Sequence, residues 1–122
     1  QKTPLTVSLA NMILNNLAPQ RTPCPPPRVI EIVAAYYSLT ALDLTGRSRT
    51  APVAAARHIA MYLLREENGL SLPAIGDQLG GRDHTTVRHG VEKVTLDLEQ
   101  QEQLRRDIST LRERIYMAHT AV

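Results

Sequence analysis

Apolar side chains recur along this chain mainly at steps of three and four residues, which is the spacing of one face of an α-helix. Strict alternation of apolar and polar positions, which marks a half-buried strand, is nearly absent. The helical pattern is clearest in residues 28–37, 51–68 and 96–118. In the last of these stretches the apolar stripe consists of Leu104, Ile108, Leu111 and Ile115. The pattern therefore predicts an all-α fold, a helical bundle whose core includes this stripe.

Turn and capping residues divide the pattern into separate helices. Thr40 begins one short turn of helix, and Pro52 restarts a helix at its first turn, where proline's missing amide costs no hydrogen bond. Gly69 is a good stop for that helix. Ser71 and Asp83 are predicted to cap two further helices, which two glycines separate. Two helices joined by such a tight turn have the layout of a helix-turn-helix.

Prolines divide the chain into regions. Residues 1–18 have an apolar face at i, i+4 steps and predict one amphipathic helix without a visible partner. Residues 19–27 contain five prolines, which exclude a helix interior and indicate a semi-rigid linker. Residues 28–118 are predicted to form the helical domain, and residues 119–122 a short tail.

Charge and cysteine content narrow the class of protein. The net charge of the 122-residue chain is only +2, but residues 44–65 carry four arginines and no acid. Such a local basic surplus points to a polyanionic partner. Cys24 is the only cysteine, so an intrachain disulfide is excluded, which fits a reducing cytoplasm. No apolar run approaches the length of a membrane span.

The stretch GGRDHTTVRHG, residues 80–90, concentrates hydrogen-bonding side chains at the start of the second helix of the helix-turn-helix. At about 100° per residue, one face of this helix is apolar and must be core. That face consists of Val87, Val91, Val94 and Leu98. The opposite face and its edge carry His84, Thr85, Thr86, Arg88, His89 and Lys93. Recognition helices present base-reading side chains from their N-terminal end, so the stretch favours DNA reading.

A metal site or a catalytic set would use the same residue types, but the spacing argues against both. His84 and His89 are five positions apart, which is not the i, i+4 pair that places two imidazoles on one helical face. Asp83, His84 and the threonines diverge around a helix start, and no oxyanion loop is evident. Asp83 is predicted to be the N-cap from its position alone, and capping can coexist with base contact.

The segment LSLPAIGDQLGGRDHTTVRHG, residues 70–90, resembles the signature of the bacterial replication initiator family DnaA, in its C-terminal DNA-binding domain. RSR at residues 47–49 and RHIAMYLLRE at residues 57–66 resemble the family's basic loop and the helix that follows it. The resemblance implies a Trp-repressor-like helix-turn-helix bundle over about residues 28–118. It also implies that residues 1–18 are the last helix of a preceding AAA+ ATPase domain. No GxxxxGK[ST] motif is present, so this chain is not expected to be an enzyme.

The resemblance implies a partner and a set of contacts. The partner is double-stranded DNA at a DnaA box, an A·T-rich element of the replication origin. An arginine of the basic loop, Arg47 or Arg49, is expected in the minor groove, where a narrow A·T-rich groove attracts Arg. The expected base readers are Asp83, His84, Thr85 and Thr86. The expected contacts to the DNA backbone are Arg57, His58, Arg65, Leu72, Pro73 and Arg82, with Arg88 as an additional phosphate contact.

Departures from the family pattern leave some questions open. Ala54, Ala55 and Ala56 stand where the family usually has a Pro and often an Arg, and the spacer before Arg57 is longer than usual. The choice between Arg47 and Arg49 therefore stays open.

A DnaA-like helix-turn-helix module of a transcriptional repressor or other regulatory protein is the alternative function. A protein–protein adaptor that uses the stripe from Leu104 to Ile115 is a third possibility. We expect no cofactor in this chain, with ATP and Mg²⁺ belonging to the AAA+ domain. We further expect a monomeric domain without metal or membrane span, a parent protein that self-assembles on DNA, and a cytoplasmic location at the nucleoid.

Overall fold

The computed structural model describes residues 24–120, and this part of the chain is an all-α bundle, as predicted. Its helices are α1 Pro26–Tyr36, α2 Ala41–Thr45, α3 Ala51–Asn68, α4 Leu72–Gln78, α5 His84–Gln100 and α6 Glu102–Thr120. The predicted helix over residues 1–18 and most of the predicted linker lie outside the described residues, and so do residues 121 and 122.

The helix boundaries follow the predicted caps. The Thr40 hydroxyl accepts a hydrogen bond from the Asp43 amide at 3.1 Å, and the Asp43 carboxylate accepts one from the Thr40 amide at 2.9 Å, which is a complete capping box. Ser71 caps α4 through the Ala74 amide at 3.2 Å. Gly69 ends α3 in the left-handed region, with φ of 66°.

Three boundaries differ from the prediction. Helix α1 begins at Pro26, inside the predicted linker, because prolines at the first positions of a helix occupy sites whose amides have no partner within the helix. The final stretch, whose start was predicted near residue 96, is two helices. Its first residues extend α5 to Gln100, and the extended backbone of Gln101 separates them from α6. Helix α6 continues to Thr120, past the predicted domain end at residue 118.

Helix α3 is the centre of the bundle and contacts each of the other helices. Its side chains Met61, Leu63 and Leu64 are fully buried. Each of the other helices, together with the residue that follows α4, contributes fully buried apolar side chains to the same core: Val29, Val33, Leu44, Ile75, Leu79, Val87 and Leu111. Burying one such leucine contributes about 1.5–3 kcal/mol. The stripe of α6 at Ile108, Leu111 and Ile115 belongs to this core, which removes the basis for the adaptor alternative.

The first and last helices are tied by polar contacts. Tyr36 and Tyr37 donate hydrogen bonds to the two carboxylate oxygens of Asp107, at 2.8 and 3.0 Å. The Arg114 guanidinium lies over the Tyr36 ring, 5.1 Å from its centroid. A cleft between the start of α1 and the end of α6 is lined by Arg28 and Met117, among others. Helices α1 and α6 therefore run side by side in opposite directions.

Helices α3 and α5 approach closely because Gly90 has no side chain. A Cβ atom at Gly90 would lie 2.5 Å from the Met61 sulfur and 3.0 Å from the His58 ring. The sequence pattern identifies Gly90 only as a cost to helix stability. The structure adds the compensating gain, since α5 can pack directly on α3.

The turn between α4 and α5 rests on three glycine positions. A Cβ atom at Gly76 would lie 2.0 Å from the Arg82 carbonyl oxygen, so α4 and the turn meet backbone to backbone. Gly80 and Gly81 both have φ of 82°. A Cβ atom at Gly80 would lie 2.2 Å from the Thr45 carbonyl oxygen, whereas one at Gly81 would meet nothing within 4 Å.

We predict that Gly80→Ala destabilises the domain more than Gly81→Ala does. Each substitution costs about 1–2 kcal/mol because an L-residue is disfavoured at positive φ. Gly80→Ala costs about 1–3 kcal/mol more, since its methyl group collides with backbone. Urea unfolding of the two variants measures the difference. Equal losses would contradict the close approach of the turn to Thr45.

Candidate nucleic-acid interface

The outer face of α5 carries the polar side chains that the helical pattern placed there. His84, Thr86 and Arg88 are exposed, and so are His89 and Lys93, while Thr85 is half-buried. On the inner face Val87 and Val94 are buried, and Val91 and Leu98 pack against the core. The predicted division of this helix into a core face and an outward polar face is confirmed.

Asp83 caps α5, as its position predicts. Its carboxylate accepts a hydrogen bond from the Thr85 amide at 2.9 Å. The pKa of Asp83 lies below its usual range, mainly because Thr85 donates hydrogen bonds to the carboxylate and, to a lesser degree, because of the charge of His84. His84 Nδ1 lies 3.7 Å from the second carboxylate oxygen. Asp83 is exposed, so the same carboxylate that orders the helix start faces solvent at its tip.

The start of α4 lies on the other side of the turn. Leu72 is half-buried and Pro73 is exposed, directly after the Ser71 cap. Arg65, near the end of α3, is exposed and donates a hydrogen bond from Nη1 to the Leu70 carbonyl at 2.9 Å. This bond holds the chain that leads into α4. The predicted backbone contacts at these three positions stay predictions.

Residues 46–50, which we call the basic loop, connect α2 to α3. Arg47 and Arg49 are both exposed, with Ser48 between them. The Ser48 and Thr50 hydroxyls are 3.3 Å apart and share a hydrogen bond. Burial is the main cause that lowers the pKa of Arg82, and the charge of Arg47 is the second.

Arg57 is only 7% exposed, and it is the buried charged side chain among the described residues. Its Nε donates to the Leu44 carbonyl at 2.7 Å. Its Nη2 lies within hydrogen-bonding distance of three more carbonyl oxygens, those of Asp43 at 3.0 Å, Gly46 at 3.4 Å and Ser48 at 3.0 Å. Burial, and then the charge of Arg82, lower the pKa of Arg57. These donors therefore have partners within the protein, and the predicted contact of Arg57 to DNA phosphate is untested.

Arg82 holds the same backbone from the turn before α5. Its Nη2 donates to the Gly46 carbonyl, and its Nη1 to the Leu79 carbonyl and, at 3.4 Å, to the Thr45 carbonyl. The structure thus brings the basic loop beside the start of the recognition helix. The sequence offers no local signal for the contacts of Arg82 with Thr45 and Gly46, since these residues are more than thirty positions away from it.

His58 is half-buried where α3 meets α5. Burial, and then the charges of Lys93 and Arg57, lower its pKa from the ordinary value of 6.5, while Asp97 acts in the opposite direction. Burial therefore disfavours the charged form of this imidazole. Its predicted backbone contact is untested.

Within residues 24–120, no three side chains of His, Cys, Asp or Glu are placed so that they could hold a metal ion. No helix in the same part of the chain is long and apolar enough to cross a membrane.

Comparisons with known proteins agree with this geometry. The family model described as bacterial dnaA protein helix-turn-helix matches residues 26–94. The chain is 43% identical over 114 residues to the chromosomal replication initiator protein DnaA of Cutibacterium acnes, covering 92% of this chain and 23% of that protein. It is 44% identical over 115 residues to the protein of the same name from Thermomicrobium roseum, covering 93% of this chain and 25% of the relative. The chain thus spans about a quarter of the length of these curated relatives.

A solved structure is similar as well. The crystal structure of a DNA replication initiation factor superposes with a TM-score of 0.67 and 28% sequence identity, over 75% of this chain and 28% of the other. The match supports the all-α fold with its helix-turn-helix.

The lowered pKa of His58 predicts a pH-dependent stability. The unfolded chain binds a proton at this imidazole near pH 6.5, whereas the folded chain binds it only at lower pH. The free energy of unfolding should therefore decrease as the pH falls below about 6.5 and level off below the folded pKa. His58→Gln should remove part of this decrease, as measured by urea unfolding across that range.

His89→Gln is the matched control for this prediction, because His89 is exposed on the outer face of α5. It should leave the pH dependence close to that of the unmodified chain. If His58→Gln and His89→Gln change the pH dependence equally, the burial of His58 is not its cause.

Proposed function

This chain belongs to the bacterial DnaA helix-turn-helix family, and from that premise we propose that it binds double-stranded DNA sequence-specifically at a DnaA box, in the initiation of chromosome replication. The observation that carries the proposal is the joint presentation of two elements on one surface. The N-terminal end of α5 exposes Asp83 and Thr86, and Arg82, the residue before this end, is bonded to the basic loop. Duplex recognition by a helix in one groove and an arginine in the next requires such an arrangement.

In the proposed complex the N-terminal end of α5 enters the major groove. Threonine at residues 85 and 86 offers a hydroxyl group and a methyl group, which suit base edges and the thymine methyl. Asp83 can accept a hydrogen bond from cytosine N4 through the oxygen that does not cap the helix. Arg88 is exposed one turn further along, and we assign it an additional contact to phosphate. The backbone amides at the start of α5 also favour phosphate.

Of the two arginines in the basic loop, Arg47 is the better candidate for the minor groove. Arg47 directly follows Gly46, whose carbonyl oxygen accepts hydrogen bonds from Arg57 and from Arg82 in the turn before α5, and this proximity supports Arg47. Arg49 lies two residues further along, next to the start of α3. We therefore assign the groove contact to Arg47 and retain Arg49 as its comparison.

Several properties are proposed only for the longer protein of which such a domain is a part. These are ATP and Mg²⁺ binding in an AAA+ domain, self-assembly on DNA, and a location at the nucleoid. For the domain itself we propose a binding role without catalysis or cofactor. The repressor alternative would use the same fold on a different DNA sequence.

The first test is a titration of the full 122-residue chain with two duplexes. We expect affinity for a DnaA-box duplex to exceed that for a scrambled duplex by at least about 10³-fold, the low end of specificity ratios for such proteins. Both duplexes are measured at one fixed salt concentration, because nonspecific affinity depends strongly on salt. Equal affinities would refute the proposed function, and preference for another operator-like sequence would favour the repressor alternative.

A second test concerns the minor groove. Arg47→Ala should reduce affinity for a box with A·T flanks by about 1–3 kcal/mol, the worth of one good base contact. It should matter much less when the flanks are G·C, because the guanine amino group obstructs that groove. Arg49→Ala is the matched control and should show little dependence on the flank. If only Arg49→Ala depends on the flank, the assignment to Arg47 is wrong, and if neither does, the groove contact is absent.

A further inference from the structure

We propose that Arg57 and Arg82 are positioning residues, which fix the basic loop beside the recognition helix in the DNA-free protein. The inference rests on the proposed function, because the position of the loop matters only if Arg47 contacts DNA. It assigns these two arginines a different role from the phosphate contact that their sequence positions predict. They act on DNA through the loop that they hold.

The geometry of Arg57 is that of a helix cap. Its guanidinium binds the carbonyls of Asp43 and Leu44, which lie in the last turn of α2 and have no partner further along that helix. A cation at this end also complements the helix dipole. The same guanidinium continues to Gly46 and Ser48, and therefore spans the end of α2 and the first half of the basic loop.

Arg82 binds the same backbone from the turn before α5. We call the two guanidiniums of Arg57 and Arg82, with the carbonyls that they share, the clamp. Both guanidiniums donate to the Gly46 carbonyl, so one peptide group joins α3 to the turn before α5. None of the ion pairs found among the described residues involves Arg57 or Arg82. Their protein partners are neutral carbonyls, although each arginine lies within the field of another. Placing like charges together is unfavourable, and the carbonyl bonds offset that cost.

A fixed loop is an advantage for binding. The basic loop is short and exposed at Arg47, Arg49 and Thr50. Without the clamp the loop backbone would have to be ordered when DNA binds. The conformational entropy lost at that step would weaken the binding. Lysine cannot replace arginine in this role, because its compact ammonium group lacks the planar set of donors with which a guanidinium binds several carbonyls at once.

The first measurement uses the free protein and needs no DNA. In Arg57→Lys, hydrogen exchange at the amides of Leu44 and Gly46, which donate to the Thr40 and Leu42 carbonyls at the end of α2, should become about tenfold faster, as expected when a local contact that limits opening is lost. Arg65→Lys is the matched control, since Arg65 is exposed on the same helix and bonds elsewhere, and it should leave these amides unchanged. Unchanged exchange in Arg57→Lys would overturn the proposal.

The second measurement is a double-mutant cycle on the DnaA-box duplex with A·T flanks. Arg57→Lys should weaken binding about tenfold in the unmodified chain, but less than about twofold when Arg47→Ala is already present, which is the non-additivity expected of coupled residues. A phosphate contact at Arg57, or a merely destabilised fold, predicts the same loss in both backgrounds. That result would overturn the positioning role.

A further pair of variants covers the case in which Arg57→Lys fails to fold. Gly80→Ala pushes on the Thr45 carbonyl that Arg82 holds, whereas Gly81→Ala has the same backbone strain without that contact. Only Gly80→Ala should couple to Arg47→Ala, and equal coupling of both would overturn the proposal. If the unmodified chain does not prefer the DnaA box, the proposed function fails, and the exchange measurement still decides whether the clamp exists.

Discussion

Helix α3 has to be buried along most of its length, and the other helices are arranged around that requirement. Eight of its eighteen residues are buried, and one of the eight is an arginine. A buried guanidinium is costly unless its donors are satisfied, so the end of α2 must be close enough to supply carbonyl groups. The same burial requires α5 to pack closely, which Gly90 permits. The placement of the recognition helix and of the basic loop both follow from how α3 is covered.

The interface combines structural and recognition roles in the same few residues. Asp83 orders the start of α5 and also presents a carboxylate to solvent. Arg82 closes the turn by binding Leu79, and it also reaches the basic loop. Such sharing makes the site small and rigid, because a side chain that is already held has little entropy left to lose on binding. It also means that a substitution at one of these positions changes the shape of the site as well as its contacts.

Much of the fold could be predicted because its causes are local in the sequence. Ser71 and Asp83 cap helices through amides two or three residues away, and the two faces of α5 follow from the helical period alone. The role of Arg57 could not be predicted in this way, since its carbonyl partners lie 9 to 14 positions earlier, in a different element. The contact of Gly80 with Thr45 is hidden for the same reason. Periodicity indicates that a residue is outward or inward, but not which neighbour it meets.

The pairing of α1 with α6 through Tyr36, Tyr37 and Asp107 has a topological consequence. Because the two helices are antiparallel, the start of the described domain and its end are neighbours, as the cleft between Arg28 and Met117 shows. Each helix contacts the next one in the chain, and the last helix contacts the first, so the helices form a nearly closed ring. The same ring could be made by a chain that begins at a different helix. A folded domain of this kind can tolerate circular permutation. Linking the end of α6 to the start of α1 and opening the chain at an exposed turn, such as the one at Gly69, would keep α3 covered by the same five helices.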